Sequence, residues 1–224
     1  MLSKPIPAWV LGGGFALTAI AGIINAVGFL GFHHQALAHM SGPLTILGNE
    51  IAGWNGAAVL RVGTIILGFF LGCVLSAVLI GPGALKLGRR YGVALTLEAA
   101  ILALAYLCLR ERVLLGECLA ALACGLQNAM ASSYSGAVIR TTHMTGIVTD
   151  LGIMGGHLLR GEAVDRRRAG LYALLLGGFL VGAVAGSYGY ARVGVVMLLI
   201  PAVLTGAGGL GYMIFRNSRE TPRE

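Results

Sequence analysis

The chain has 224 residues, of which 57% are hydrophobic and only 11% charged, and its mean hydropathy is +0.84. Soluble domains carry about 25% charged residues, so a water-soluble globule, a disordered chain and a nucleic-acid-binding protein are all excluded. The net charge of +7, from 16 Lys and Arg against 9 Asp and Glu, gathers at the ends of apolar runs, where basic residues set membrane orientation and meet lipid headgroups. The 36 glycines far exceed the usual ~7% and follow no Gly-X-Y period; Gly and Ala in apolar helices favour close packing in a bilayer.

A spanning helix needs about 20 apolar residues. The first candidate, residues 8–30, follows Lys4 like a signal peptide, but its length and its share in the repeat described below make it a retained membrane helix. A short, weakly apolar segment follows at 39–54, interrupted by Asn49 and Glu50. Long apolar segments then come at 62–81, 92–109 and 113–131. A second short segment, 143–159, carries Asp150 and His157, and two more long ones close the chain at 169–189 and 193–215. Cys73, Cys108, Cys118 and Cys124 lie in or beside apolar segments without a C-x-x-C pair, which fits small buried hydrophobes and neither zinc nor redox chemistry.

Counting charges weighs the topology. With six crossings and a cytoplasmic amino terminus, twelve basic residues lie inside (Lys4, Lys86, Arg89, Arg90, Arg140, Arg160, Arg166, Arg167, Arg168, Arg216, Arg219, Arg223). Four lie outside (Arg61, Arg110, Arg112, Arg192). Eight crossings split them 11 to 5; the bias collapses if only one of the short segments crosses, so either both cross or neither does. Asn49, Glu50 and Asp150 are costly against lipid and tolerable at a cavity, which favours two half-spanning or re-entrant helices.

The chain also repeats itself. Gly22-Ile23-Ile24-Asn25-Ala26 matches Gly125-Leu126-Gln127-Asn128-Ala129. His39-Met40-Ser41-Gly42 matches His143-Met144-Thr145-Gly146, and Phe69, Gly72 and Ser76 match Phe179, Gly182 and Gly186. The offsets are 103, 104 and 110. The expected fold is therefore all-α: one integral membrane domain over 1–224, a polytopic bundle of six long helices plus two short polar ones, with halves at about 8–109 and 113–215. Three crossings per half invert the second half relative to the first, and such repeats place polar sites at their interface near the midplane. The small-residue pairs Gly72/Ser76 and Gly182/Gly186 each share a helix face and read as packing surfaces.

The string from Ser135 to Gly152, containing Arg140-Thr141-Thr142-His143-Met144-Thr145-Gly146 and Thr149-Asp150-Leu151-Gly152, together with Gly125 to Ala129 and His39 to Gly42, resembles the YoaK family of bacterial inner-membrane proteins over nearly the whole chain. The family places Asn after the first H-M-[ST]-G, where this chain has Pro43. The resemblance implies a multi-pass protein of the bacterial inner membrane and little about its chemistry.

Several polar residues are site candidates. Ser41 and Thr145 are good N-caps, and Pro43 suits a first helical turn; the exposed N–H groups of a helix start favour an anion or polar solute. Asn25 and Asn128 are amides in apolar helices that must face protein or a cavity. His39 and His143 open the short helices and serve backbone pairing, proton relay or metal binding, though no metal-ligand spacing accompanies them. His33 and His34 are weakly informative, and Glu117 reads as a solvated or snorkelling group. Asp150, Glu98 and Glu50 are candidates for proton coupling, with Arg140 the expected partner of Asp150.

Taken together, the expected function is a transporter or channel for a small polar solute, with protons as the expected coupling ion. Asn25, His39, Ser41, Thr45, Asn128, His143, Thr145, Thr149 and Asp150 form its substrate path. No catalytic set, metal or cofactor is expected. The alternatives are an intramembrane enzyme using His143, Asp150 and His39, for which no nucleophile elbow or phosphate loop exists, and a non-catalytic membrane scaffold. The expected partners are the bilayer and an unidentified solute, with a homo-oligomer left open. Both termini are expected in the cytoplasm.

Overall fold

The computed structural model describes residues 8–31, 35–81, 89–135 and 139–220, with the side chains of 89, 134, 135 and 215–220 left aside. The expectations for Lys4, His33, His34, Lys86 and Arg223 fall outside these residues, as do those for the side chains of Arg89, Arg216 and Arg219.

The described residues are helical throughout their regular structure. The elements are α1 (Ala8–Gly31), α2 (Ser41–Ala52), α3 (Gly56–Ile80), α4 (Arg89–Arg110), α5 (Leu115–Ser135), α6 (Met144–Leu159), α7 (Arg166–Val193), a 3-10 turn (Gly194–Leu198) and α8 (Leu199–Glu220). Helices suit an apolar chain because each backbone polar group is paired within its own segment. Caps set several boundaries. Asn55 Oδ1 accepts from Ala58 N–H at 3.3 Å to start α3, and Asp165 accepts from Arg167 and Arg168 N–H, both at 3.1 Å, to start α7. Gly194, with φ +60°, ends α7 in a conformation that side-chain-bearing residues resist.

Four stretches are long and apolar enough to cross a membrane: Ala8–Gly31, Gly56–Ile80, Arg90–Arg110 and Arg166–Ile214. Six separate spans were expected. The last stretch runs through α7, the 3-10 turn and α8, and so takes in two of the expected segments. α5 is not among the four; its 21 residues include Glu117, Gln127, Asn128, Ser132, Ser133 and Ser135. α2 and α6 have 12 and 16 residues, or about 18 and 24 Å of helix, less than the ~30 Å hydrocarbon thickness.

Glycines set how the long helices pair. α1 lies along α7, and α3 along α5. In the first pair Gly178 faces Phe15 and Thr18, Gly182 faces Ala19, and Gly186 faces Ile23. In the second, Gly68 faces Cys118 and Gly72 faces Leu122. The rising order on both partners makes each pair parallel. α4 and α8 run antiparallel, since Gly92 faces Met213 while Gly206 faces Ala99. One end of the bundle therefore carries the starts of α1, α4 and α7 and the ends of α3, α5 and α8. The other carries the end of α1, the start of α3 and the α4–α5 turn. The main core lies between them, built on Ile24, Leu37, Ile65, Leu102, Cys124 and Leu198.

At Gly22, Gly72, Gly125 and Gly182 a Cβ would overlap the backbone of the facing helix. Gly72→Val and Gly182→Val are therefore expected to destabilise the folded protein by about 1–3 kcal/mol or more, read as a lower midpoint of thermal unfolding in detergent. Gly155→Ala, where a Cβ meets nothing within 4 Å, is the matched control. Equal midpoints for all three would contradict the packing described.

Candidate functional site

The two short helices begin at one cavity. Its volume is about 410 Å³. His39, Met40 and Ser41 line it from the start of α2, and Thr142, His143, Met144 and Thr145 from the start of α6. Asn128 and Ser132, one turn apart on α5, form part of the wall, with Phe69 of α3 and Arg140. Phe69 stands midway along the 25 residues of α3, so the cavity lies at the middle of the bundle's height.

Two asparagines hold the helix starts in position. Asn25 Oδ1 accepts from Ala38 N–H at 3.2 Å. Asn128 Oδ1 accepts from Thr142 N–H at 3.4 Å. Each amide thus binds the residue immediately before a motif histidine. Asn25 is a tether away from the cavity lining; Asn128 both tethers and lines.

The repeated His-Met-[Ser/Thr]-Gly motif has a packing reason. His143 lies against the first turn of α6, and a Cβ on Gly146 would overlap its ring. At Gly42 a Cβ would come 3.7 Å from His39 Cε1. That is an ordinary contact, so Gly146 is the one of the two glycines that leaves room for an imidazole. His39 Nδ1 is buried and has no hydrogen-bond partner among the described residues.

The expected capping by Ser41 and Thr145 is not what forms. The cap positions fall on Met40 and His143, and neither helix start has a side-chain cap. Ser41 already lies inside α2 and Thr145 inside α6, so their hydroxyls are past the capping position. Pro43 is buried in the first turn of α2, where its missing N–H is no loss. Thr45 and Thr149 sit one turn on, exposed, and their hydroxyls donate back to the Ser41 and Thr145 carbonyls at 3.0 and 2.9 Å. Neither lines the 410 Å³ cavity.

The acidic candidates separate. Asp150 pairs with Arg168 Nη2 at 3.4 Å, not with Arg140 as expected, because α6 packs on α7 and turns Asp150 toward its first turn. Arg168 Nε also donates to Tyr172 Oη at 2.9 Å. Asp150, Arg168, Tyr172, Arg140 and His143 line a second cavity of about 180 Å³. Arg140 and His143 therefore belong to both cavities. Glu50 is half-buried in α2. Glu98 of α4 is fully buried, and neither carboxyl oxygen has a partner among the described residues. Gln127, next to Asn128, is likewise fully buried with both amide atoms unpartnered. Glu117, expected to be solvated, is only 6% exposed.

Sequence reasoning missed Ser132 and undervalued Arg140. Ser132 had a legible signal, lying four residues after Asn128 on the same helix face. Arg140 stood in the most distinctive string of the chain but was assigned only to Asp150.

The family comparison covers most of this architecture. Residues 13–210 match the profile described as Protein of unknown function (DUF1275). The chain belongs to the DUF1275 family. No curated protein and no solved structure matches it significantly. The matched span of this DUF1275 chain contains both asparagine tethers, both histidine motifs and the cavity they line.

Replacing either asparagine orphans a partly buried N–H. Asn25→Leu and Asn128→Leu are each expected to destabilise the fold by about 1–3 kcal/mol, seen as lowered unfolding midpoints in detergent. Midpoints unchanged in both would show that the tethers do not hold the helix starts.

Proposed function

We propose that this protein is a transporter or channel for a small polar solute, and that the solute passes through the 410 Å³ cavity where α2 and α6 begin. The observation that carries the reading is the meeting of two uncapped helix starts at one cavity of mixed polar and apolar lining. Helix starts present unpaired N–H groups and partial positive charge. With Arg140 beside them, they favour an anion or a solute rich in carbonyl oxygens. His39, Ser41, Asn128, His143 and Thr145 are its contacts. Asp150 belongs to the smaller adjoining cavity, which continues the path toward the start of α7.

This reading includes a topology. α1, α3, α4, α5, α7 and α8 make six crossings, with α2 and α6 as half-spanning helices. The halves arose by duplication and lie inverted to one another. Three correspondences support this: α1 on α7 against α5 on α3, Gly22 and Gly182 against Gly125 and Gly72, and Asn25 on Ala38 against Asn128 on Thr142. The bacterial inner membrane, the cytoplasmic termini and membership of the YoaK group within the family follow from the resemblance and the charge distribution. Irregular backbone at membrane depth is tolerated where it is buried in protein or borders a cavity; here residues 35–38 are buried, and His39, Met40, Arg140, Thr142 and His143 border the cavity. Discontinuous helices around a central site are a recurrent transporter device.

Proton coupling in this reading centres on Glu98. Asp150 already has an arginine partner, whereas Glu98 is enclosed and unpartnered. A carboxyl in that setting gains or loses a proton only together with its surroundings.

Reconstituted vesicles offered a panel of small anions and neutral polar solutes are expected to show protein-dependent uptake. His143→Ala and Arg140→Ala are expected to lower it at least tenfold while the unfolding midpoint is kept. Glu98→Gln is expected to remove any dependence on an imposed pH gradient. Absence of flux for the whole panel, with a folded protein in the vesicles, would contradict the proposal.

A further inference from the structure

Another polar cavity, remote from the two already described, lies at the end of the bundle opposite the starts of α1, α4 and α7. Its volume is about 580 Å³. Arg61 of α3, Arg110 and Arg112 at the α4–α5 turn, and Glu117 of α5 line it. Among the described residues, none of the three guanidinium groups has a carboxylate within ion-pair distance. Glu117 is 6% exposed, and its Oε2 is buried without a hydrogen-bond partner. Arg112 has a left-handed backbone, φ +55°, at a turn where glycine would be free of strain. An arginine held there puts a third cation at the cavity.

We propose that this cavity binds a phosphoethanolamine group, with the phosphate on the arginines and the ammonium on Glu117. Three arginines and one carboxylate leave a surplus of positive charge, and guanidinium forks match phosphate oxygens. A bare phosphate would leave Glu117 facing an anion. An ammonium beside the phosphate supplies the donor that Oε2 lacks. The same group occurs at the head of a phospholipid and as a free solute. Leu60, Val113, Leu115 and Val196 are exposed around this end of the bundle and would accommodate acyl chains, which favours the lipid. That preference rests on the proposed topology, in which this end meets a membrane surface; the binding chemistry does not.

The test uses delipidated full-length protein in detergent, with lipid binding read by native mass spectrometry. Phosphatidylethanolamine is expected to bind at least about tenfold more tightly than phosphatidylglycerol, which has no ammonium, and than phosphatidylcholine, whose quaternary ammonium donates no N–H bond. Arg61→Ala combined with Arg110→Ala is expected to weaken all three lipids. Glu117→Gln is expected to abolish the preference while leaving phosphatidylglycerol binding in place. Displacement of phosphatidylethanolamine by water-soluble phosphoethanolamine would assign the site to the free compound, and failure of displacement would assign it to the lipid. Equal binding of the three lipids by the unsubstituted protein would overturn the proposal, whether or not the variants fold. So would a preference that survives Glu117→Gln. None of these readouts involves solute flux, so failure of the transport reading leaves them interpretable.

Discussion

Two helix starts that meet at mid-height in a helix bundle impose a demand that the rest of this fold meets. A helix start leaves its first N–H groups unpaired, and the chain leading to it is irregular backbone with polar groups of its own. Here the approach to each short helix is held by one asparagine on a long helix, Asn25 for α2 and Asn128 for α6. The histidine that follows lies over the first turn, and at α6 the glycine three residues on makes space for it. The repeated motif and the repeated amide thus form one device, used twice, whose product is a pair of helix starts at a common cavity.

That device needs a firm frame. The frame comes from the parallel pairs α1–α7 and α3–α5, where glycines let backbones approach so closely that an added methyl would overlap main-chain atoms. In a bilayer, apolar area alone gives little reason for helices to associate, since lipid tails are as apolar as leucine; close backbone packing supplies it. Asn25 and Asn128 lie on α1 and α5, one helix from each pair, so the tether positions are fixed by the same crossings. α4 and α8 close the bundle antiparallel. Between α1, α4, α5 and α8 an almost wholly apolar cavity of about 310 Å³ remains near the starts of α1 and α4, so polar lining is concentrated elsewhere: at mid-height and at the opposite end.

Much of this was legible in the amino-acid order. Long apolar runs separated by basic residues predicted the helices to within a few residues at most ends, and the interruptions at Asn49, Glu50 and Asp150 marked the two short ones. The recurrence of His-Met-[Ser/Thr]-Gly pointed to the region that the cavity occupies. The finer chemistry was less visible. Capping propensity assigned Ser41 and Thr145 to the cap position, but each helix starts one or two residues earlier, at a boundary set by the asparagine tether. Arg140 was the nearer arginine to Asp150 along the chain, yet the packing of α6 on α7 supplied Arg168. Gln127 and Asn128 are adjacent amides, and periodicity alone could not tell which would be tethered and which enclosed. Glu117 looked solvated from its place near a helix start; only the fold enclosed it beside Arg61.

The central claim is that the two motif turns meet. Single cysteines at Met40 and Met144, introduced after Cys73, Cys108, Cys118 and Cys124 have been replaced by serine or alanine, test it within one chain. A short bifunctional thiol reagent applied to the protein in membranes is expected to link the two and shift its mobility. A control pair at Met40 and Ile214, near the end of α8, is expected to stay unlinked. If the first pair fails to link while each cysteine reacts singly, the two helix starts do not share a cavity and the account is wrong.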